Sequence, residues 1–511
     1  MKSFFRRHPL LLDALLWAIP AFLFGAALRL MLLHYSPYAY WGSDSRSYFG
    51  FANGVLNDFY FSLSEKRRYL YPIFLLPVAM LPGPPLRSLA WIQAAIGLCT
   101  IPVFAYSVRR IFVTWKILII PLTTLFAGLP VFIWHEHELI GDTFLLNGLV
   151  WCVAGWAAWT SQPDPSRARR LWWLFFAAFS FIVLSKPSVK FFWPGLLAAL
   201  VFIGAWRVMR WRHWVALGAL FLAGLTVGDD DQGAWLIYNS TFPLTQLNSP
   251  LHAEVKAELA GWVLAKRARI DSYAKEDYEV QKYLRAPENE PSRPRLQALA
   301  KDKGDLSRVY RDLAVEGILA EPLSYLSIGL HRMLESCNPS DLSLWRFQAD
   351  YCSSRLGEAI AAGKYPEEIL RLALGIPRAA PFPSQEELNA RMNPYPDSIP
   401  ARWLPTYVKA YQAAGALVNR PDSEPCLLSG YRPSFLGWWF LLGCVLALLP
   451  PYFRTVGVWV LLLSTGLFAT YLVGVMHVRY FAPAWPVVLL ALAVLIDAPW
   501  RAVLRHWKRL P

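Results

Sequence analysis

Ten apolar runs, separated by basic and polar breaks, constrain this chain more than any other feature. They start near Leu12, Leu86, Ile117, Thr143, Leu171, Phe191, Trp214, Phe435, Val456 and Ala482. A bilayer core takes about 20 apolar residues of helix, and several runs here are only about 14 to 17 residues long. The composition agrees with the runs: 55% of the 511 residues are hydrophobic, 24 are Trp, and only 17% are charged, against about a quarter in soluble domains. The expected fold is an all-α polytopic membrane protein with about ten transmembrane helices.

Charge orients the runs. Net charge is +14, and by count the stretch 229–432 is roughly neutral to slightly acidic, so the excess lies on the membrane part. Arg109, Arg110 and Lys116 lie between runs two and three; Arg167, Arg169 and Arg170 between four and five; Arg207, Arg210 and Arg212 between six and seven. Arg454 separates eight from nine, and Arg501, Arg505, Lys508 and Arg509 follow ten. Lys2, Arg6 and Arg7 precede run one, which is too long for a signal-peptide core and reads as a retained helix. With the N-terminus inside, every cluster falls on the cytoplasmic side. The stretch "YLYPIFLLPVAML" (69–81) would reverse that order if it spanned; short and proline-bearing, it reads as an interfacial or re-entrant helix. No basic stripe has the spacing of a nucleic-acid groove, so no nucleic acid is expected.

Three divisions follow. Residues 1–228 hold seven spans and the outer loops 35–85 and 134–142; residues 229–432 form an extracytoplasmic, mainly helical insertion; residues 433–511 carry the last three spans. In the insertion, 306–337 reads as two amphipathic helices broken at Pro322, the second suited to a membrane surface. The proline-rich stretches 377–385 and 393–405 read as loops. Cys99, Cys152 and Cys444 lie in apolar runs and read as packing residues. Cys337, Cys352 and Cys426 lie in the insertion, where a Cys337–Cys352 disulfide is one candidate; no C-x-x-C pair exists.

Ionisable residues close to the bilayer are costly and tend to be functional. Asp44 and Arg46 follow run one in "GSDSRSYFGFANGVL" (42–56), among Trp41, Tyr48 and Phe49. The stretch "HEHELIGD" (135–142) puts His135, Glu138 and Asp142 on one face at helical spacing. His135, Glu136 and Glu138 are the candidate metal ligands, for Mg, Mn or Zn, although HExxH is absent and alternating histidines suit a helix face poorly. Lys66, Arg67, Arg68, Lys186, Lys190 and Arg479 are cations on the outer side, against the general rule. Asp229, Asp230 and Asp231 read as a solvated flank of run seven. Acids that take a proton from a hydroxyl, beside cations that hold a phosphate, suit a reaction on a lipid-linked phosphate.

This arrangement resembles the polyprenyl-phosphate-dependent glycosyltransferases of the GT-C superfamily, in the branch of protein O-mannosyltransferases and lipid A aminoarabinose transferases. The stretch 42–56 is similar to the acidic first-loop motif, with Asp44 in the catalytic place. "RRYLYPIFLLPVAML" (67–81), containing Tyr71, resembles the "PLYP" juxtamembrane helix, and "HELIGDTFLLNGLVW" (137–151) the second-loop motif, with Asp142 at its acid. "LSKPSVKFFWPGLL" (184–197) stands where "LTRP" is usual, "GAWLIYNS" (233–240) resembles "PW-x-x-RN", and "HVRYFAPAWPVVLL" (477–490) resembles "H-x-RY-x-x-P". The departures are an insertion of about 200 residues after run seven, a chain ending at run ten, Tyr238 in place of the "RN" arginine, and Ser185–Lys186 for "TR".

The resemblance implies an inverting transferase that moves a sugar from a polyprenyl phosphate to an extracytoplasmic acceptor, among membrane lipids of a bacterial inner membrane. Asp44 would be the general base. Asp142 and Glu138 would be further catalytic acids. Arg46, Arg67, Arg68, Tyr71, Lys186, Lys190, His477 and Arg479 would bind substrate. It does not carry over a sugar or an acceptor. Two other readings stay open: a transporter or flippase with Asp44 and Asp142 as a proton relay, and a non-catalytic envelope assembly subunit that docks through the insertion.

Overall fold

The computed structural model describes residues 9–41, 45–58, 70–112, 116–225, 237–268, 306–336, 367–377, 379–392, 442–450, 452–473 and 482–507, and the isolated positions 296, 298–299, 402–403, 406–407, 409–410 and 413. Asp44, Lys66, Arg67, Arg68, His477, Arg479, the three aspartates at 229–231, Cys337, Cys352 and Cys426 lie outside them, as does the Arg46 side chain.

The described chain is helical, and its one bridge is an isolated parallel contact between Tyr40 and Glu138. The membrane part runs α1 (Pro9–Tyr35), α2 (Ser45–Asp58), α3 (Leu70–Ala79), α4 (Pro85–Ile111), α5 (Ile119–Ala127), α6 (Pro130–Glu136), α7 (Asp142–Thr160), α8 (Pro165–Ser185), α9 (Trp193–Phe202) and α10 (Trp211–Leu225). The insertion contributes α11 (Ala253–Arg267), α12 (Leu306–Ala320), α13 (Pro322–Ser336), α14 (Glu367–Leu374) and α15 (Gln385–Met392). The chain returns to the bundle through α16 (Val458–Val473) and α17 (Trp485–Trp507).

Six helices among the described residues are long and apolar enough to cross a bilayer, and up to eight if each of two bent pairs counts as one span. Their outward faces are apolar: Leu16, Ile19, Leu23 and Leu30 on α1 and Leu174 on α8 are at least half exposed, the pattern of side chains turned to lipid. Run three is one bent pair, α5 and α6, meeting at 44°. Pro130 causes the bend, because it lacks an N–H and holds Leu129 in extended backbone. Runs six and seven are shorter helices, and run eight is described only from 442, as helix to 447. The stretch 69–81 forms the ten-residue α3, too short to cross.

Small residues bring the helices together. A Cβ at Gly155 on α7 would sit 2.8 Å from the Phe175 Cα on α8, and one at Gly148 would strike Ile182. These two glycines, two turns apart, let the antiparallel α7–α8 pair approach backbone to backbone, as membrane helices do without a hydrophobic drive between them. Cys152 on α7 is buried, whereas Cys99 on α4 is exposed, which corrects its reading as a packing residue.

Basic groups gather at one end of the bundle. Arg109 Nη2 lies 3.2 Å from Asp13, Arg501 Nη2 donates to the Ile111 carbonyl at 3.4 Å, and Trp156 Nε1 donates to the Arg454 carbonyl at 2.8 Å. The loops 36–41 and 137–141 lie at the opposite ends of α1 and α7.

Candidate active site

The site grows from a break in helicity. The spacing of His135, Glu138 and Asp142 predicts one helix face, but α6 stops at Glu136 and α7 starts only at Asp142. The five residues between are held from outside. Tyr40 N–H donates to the His137 carbonyl at 2.7 Å, and Leu139 N–H donates back to the Tyr40 carbonyl at 2.9 Å. Ser45 Oγ donates to the Leu139 carbonyl at 3.0 Å. The two flanks of the segment 42–44 are thus both fastened to 137–139.

From below, Gln93 on α4 completes the clamp. Its Nε2 donates to the carbonyls of Glu136 (2.9 Å) and Glu138 (3.0 Å), and its Oε1 accepts from the Tyr71 hydroxyl at 2.7 Å. Tyr71 is fully buried, with Tyr48 and Phe144 edge-on at 5.1 Å each. Burial, then the nearby Tyr48 and Glu138, push its phenol well above the ordinary range. Expected as a substrate contact, Tyr71 spends its hydroxyl on Gln93 instead. Gln93→Leu strands two buried carbonyls and the phenol, each worth about 1–3 kcal/mol. The variant is expected to melt well below the wild type in detergent; a melting curve unchanged within error would contradict the clamp.

The acids of this segment part company. Asp142 opens α7, where the helix dipole favours an anion. Its Oδ1 lies 2.8 Å from Lys186 Nζ at the end of α8, with side chains only 6% and 10% exposed. The pairing of an expected acid with an expected phosphate-binding cation changes both readings, since neither charge stands alone. Lys190, four residues on, is exposed, with Nζ 5.4 Å from the Phe191 ring centre. Glu138 Oε2 meets His135 Nδ1 at 3.2 Å. His137 is buried with its ring edge-on to Tyr40 at 4.8 Å, and its Nε2 has no partner among the described residues. Burial pulls its pKa down to about 4, so it is neutral near pH 7.

Glu136 turns the other way, and this corrects the metal reading. Its carboxylate takes a two-pronged bond from Arg29 on α1, Nε at 2.6 Å and Nη2 at 2.7 Å. Arg29 Nη1 also donates to the carbonyls of Gly25 (3.2 Å) and Ala127 (3.1 Å). Gly97 makes the room, because a Cβ there would strike the Glu136 carboxylate. Adjacent residues on α6 point about 100° apart, so His135 and Glu136 cannot share an ion, and no group of three His, Cys, Asp or Glu side chains fit to hold a metal occurs among the described residues.

Arg29 and Gln93 were not read as site residues from sequence. An arginine in the last third of an apolar run was the available signal for the first; a lone glutamine in a span was the only one for the second. Comparison of the chain with family models, with curated proteins and with solved structures finds no match.

Proposed function

We infer that this chain is a ten-span membrane glycosyltransferase. It takes a sugar from a polyprenyl phosphate on the extracytoplasmic face of the inner membrane and passes it to an acceptor hydroxyl there. The observation that carries the reading is the buried Asp142–Lys186 pair, 2.8 Å apart, beside a segment to which both flanks of Asp44 are fastened. Acids from the two outer-loop motifs and a cation from the third thus belong to neighbouring stretches of chain.

In the reaction, the acceptor oxygen attacks the anomeric carbon and its proton passes to the Asp44 carboxylate. The bond from that carbon to the phosphate oxygen breaks, and its electron pair leaves with the polyprenyl phosphate. Attack from the face opposite the leaving group inverts the anomeric centre. Asp142 orients the reacting groups, and Lys186, Lys190, Arg67, Arg68, His477 and Arg479 are the groups assigned to the phosphate and its lipid. Glu138, held by His135, is the third carboxylate of the site.

Sidedness tests the reading. The gathering of Asp13, Arg109, Arg454 and Arg501 at the end remote from Asp142 supports an outward-facing site. A single cysteine at the exposed Ser384 should react with a membrane-impermeant maleimide in intact cells, and one at the exposed Ser166 only after lysis. Labelling of Ser166→Cys from outside would put the site in the cytoplasm and overturn the lipid-linked donor.

A further inference from the structure

The insertion presents an apolar corner that its own core does not use. Helices α12 and α13 meet at 101°, with Pro322 as the first residue of the second. One side of α12 is satisfied internally. Val309, Leu313 and Ala314 are buried, Tyr310 stacks on Tyr238 at 4.9 Å, and Gly317 lies against the Leu244 backbone. Its acids are also matched: Asp312 with His252 at 2.9 Å, Glu316 with Lys256 at 2.6 Å, and Glu321, at the corner, with Arg267.

The opposite side runs Arg308, Arg311, Val315, Leu319 at helical spacing, all exposed. It continues across the corner into Leu323 and Leu326. Leu319 is 77% exposed and Leu323 is 79% exposed. Two arginines thus stand at one end of the stripe and four aliphatic side chains at the corner, with roughly 12 Å of helix rise from Arg311 to Leu319.

What lies against this corner is indicated by α16. Tyr325 OH donates to the Leu472 carbonyl at 2.8 Å, and Gly329 packs on Leu472 and Phe468. These belong to the last two turns of α16, the end remote from Arg454. The face of α13 bearing Tyr325 and Gly329 therefore rests on the end of an apolar span, while Leu323 and Leu326 stay exposed beside that contact. Aliphatic groups at the end of a span, with arginines one headgroup depth away, match a lipid interface.

We propose that the α12–α13 corner is a membrane-seating device: Val315, Leu319, Leu323 and Leu326 enter the acyl boundary of the leaflet at the outer end of α16, and Arg308 and Arg311 meet anionic headgroups. The occupant is the bilayer itself. This stands apart from the transferase reading, because it needs no catalysis.

The test uses the full chain in vesicles of phosphatidylethanolamine and phosphatidylglycerol. Leu319→Cys and Leu323→Cys, each carrying an environment-sensitive fluorophore, are compared with a Ser384→Cys control. Both exposed sites tolerate a label without core damage. The expected result is loss of emission at 319 and 323 to a lipid bearing a nitroxide high on its acyl chain, and none to aqueous iodide, with the reverse at 384. Quenching of 319 and 323 by iodide would put the corner in water and overturn the proposal. Quenching by neither agent would show a protein cover, such as a second copy, and overturn it equally.

Discussion

Lys186→Met is expected to destabilise the protein by about 3–5 kcal/mol, because it leaves the Asp142 carboxylate buried without its counter-charge. Asp142→Asn alone strands the ammonium and should cost a similar amount. The double variant removes both charges and should recover much of the loss, so the two changes are strongly non-additive. Thermal unfolding in detergent reads all three. Single variants that melt like the wild type, or a double variant that loses the sum of the two, would show that the pair does not form in the folded protein. The same cycle separates folding from chemistry: a double variant that is stable but inactive assigns Asp142 and Lys186 to the reaction as well as to the scaffold.

Asp44→Asn is expected to lower turnover by about 10²- to 10⁴-fold with little change in stability. Asparagine keeps the volume of aspartate but cannot take a proton from an acceptor hydroxyl. The anchors of the surrounding loop are Tyr40 and Ser45, which the substitution does not touch. Donor binding should therefore survive while the rate falls. Arg46→Ala should cost less, since the arginine is not assigned a proton. A variant at Asp44 that keeps more than about a tenth of the wild-type rate would remove it as general base and pass the role to Asp142 or Glu138.

Sequence reading was strongest where lipid itself writes the pattern. Long apolar runs and a helix break at Pro322 are local signals, because a span must be apolar throughout and proline lacks the N–H that a helix interior needs. The sequence marks the acids and cations of the candidate site by their place near the bilayer, but it does not mark their pairing. Arg29 and Glu136 are 107 positions apart, and nothing local in either stretch marks one as the other's partner. Helical spacing from His135 to Asp142 misled for a physical reason: the backbone of 137–139 finds its hydrogen bonds on Tyr40, Ser45 and Gln93, so the helix need not continue. A separate tertiary contact, the ion pair with Arg29, holds the Glu136 carboxylate and takes it out of the metal set.

The most direct measurement is turnover of the lipid-linked donor. Purified protein in liposomes would be supplied with polyprenyl-phosphate sugars extracted from the source membranes, and the lipids followed by mass spectrometry. The wild type is predicted to convert polyprenyl-phosphate sugar to polyprenyl phosphate when an extracytoplasmic acceptor fraction is present, with a product of inverted anomeric configuration, and Asp44→Asn is predicted not to. Donor lipid that stays intact in the presence of acceptor, or that moves intact from one leaflet to the other, would contradict a transferase and favour a transporter.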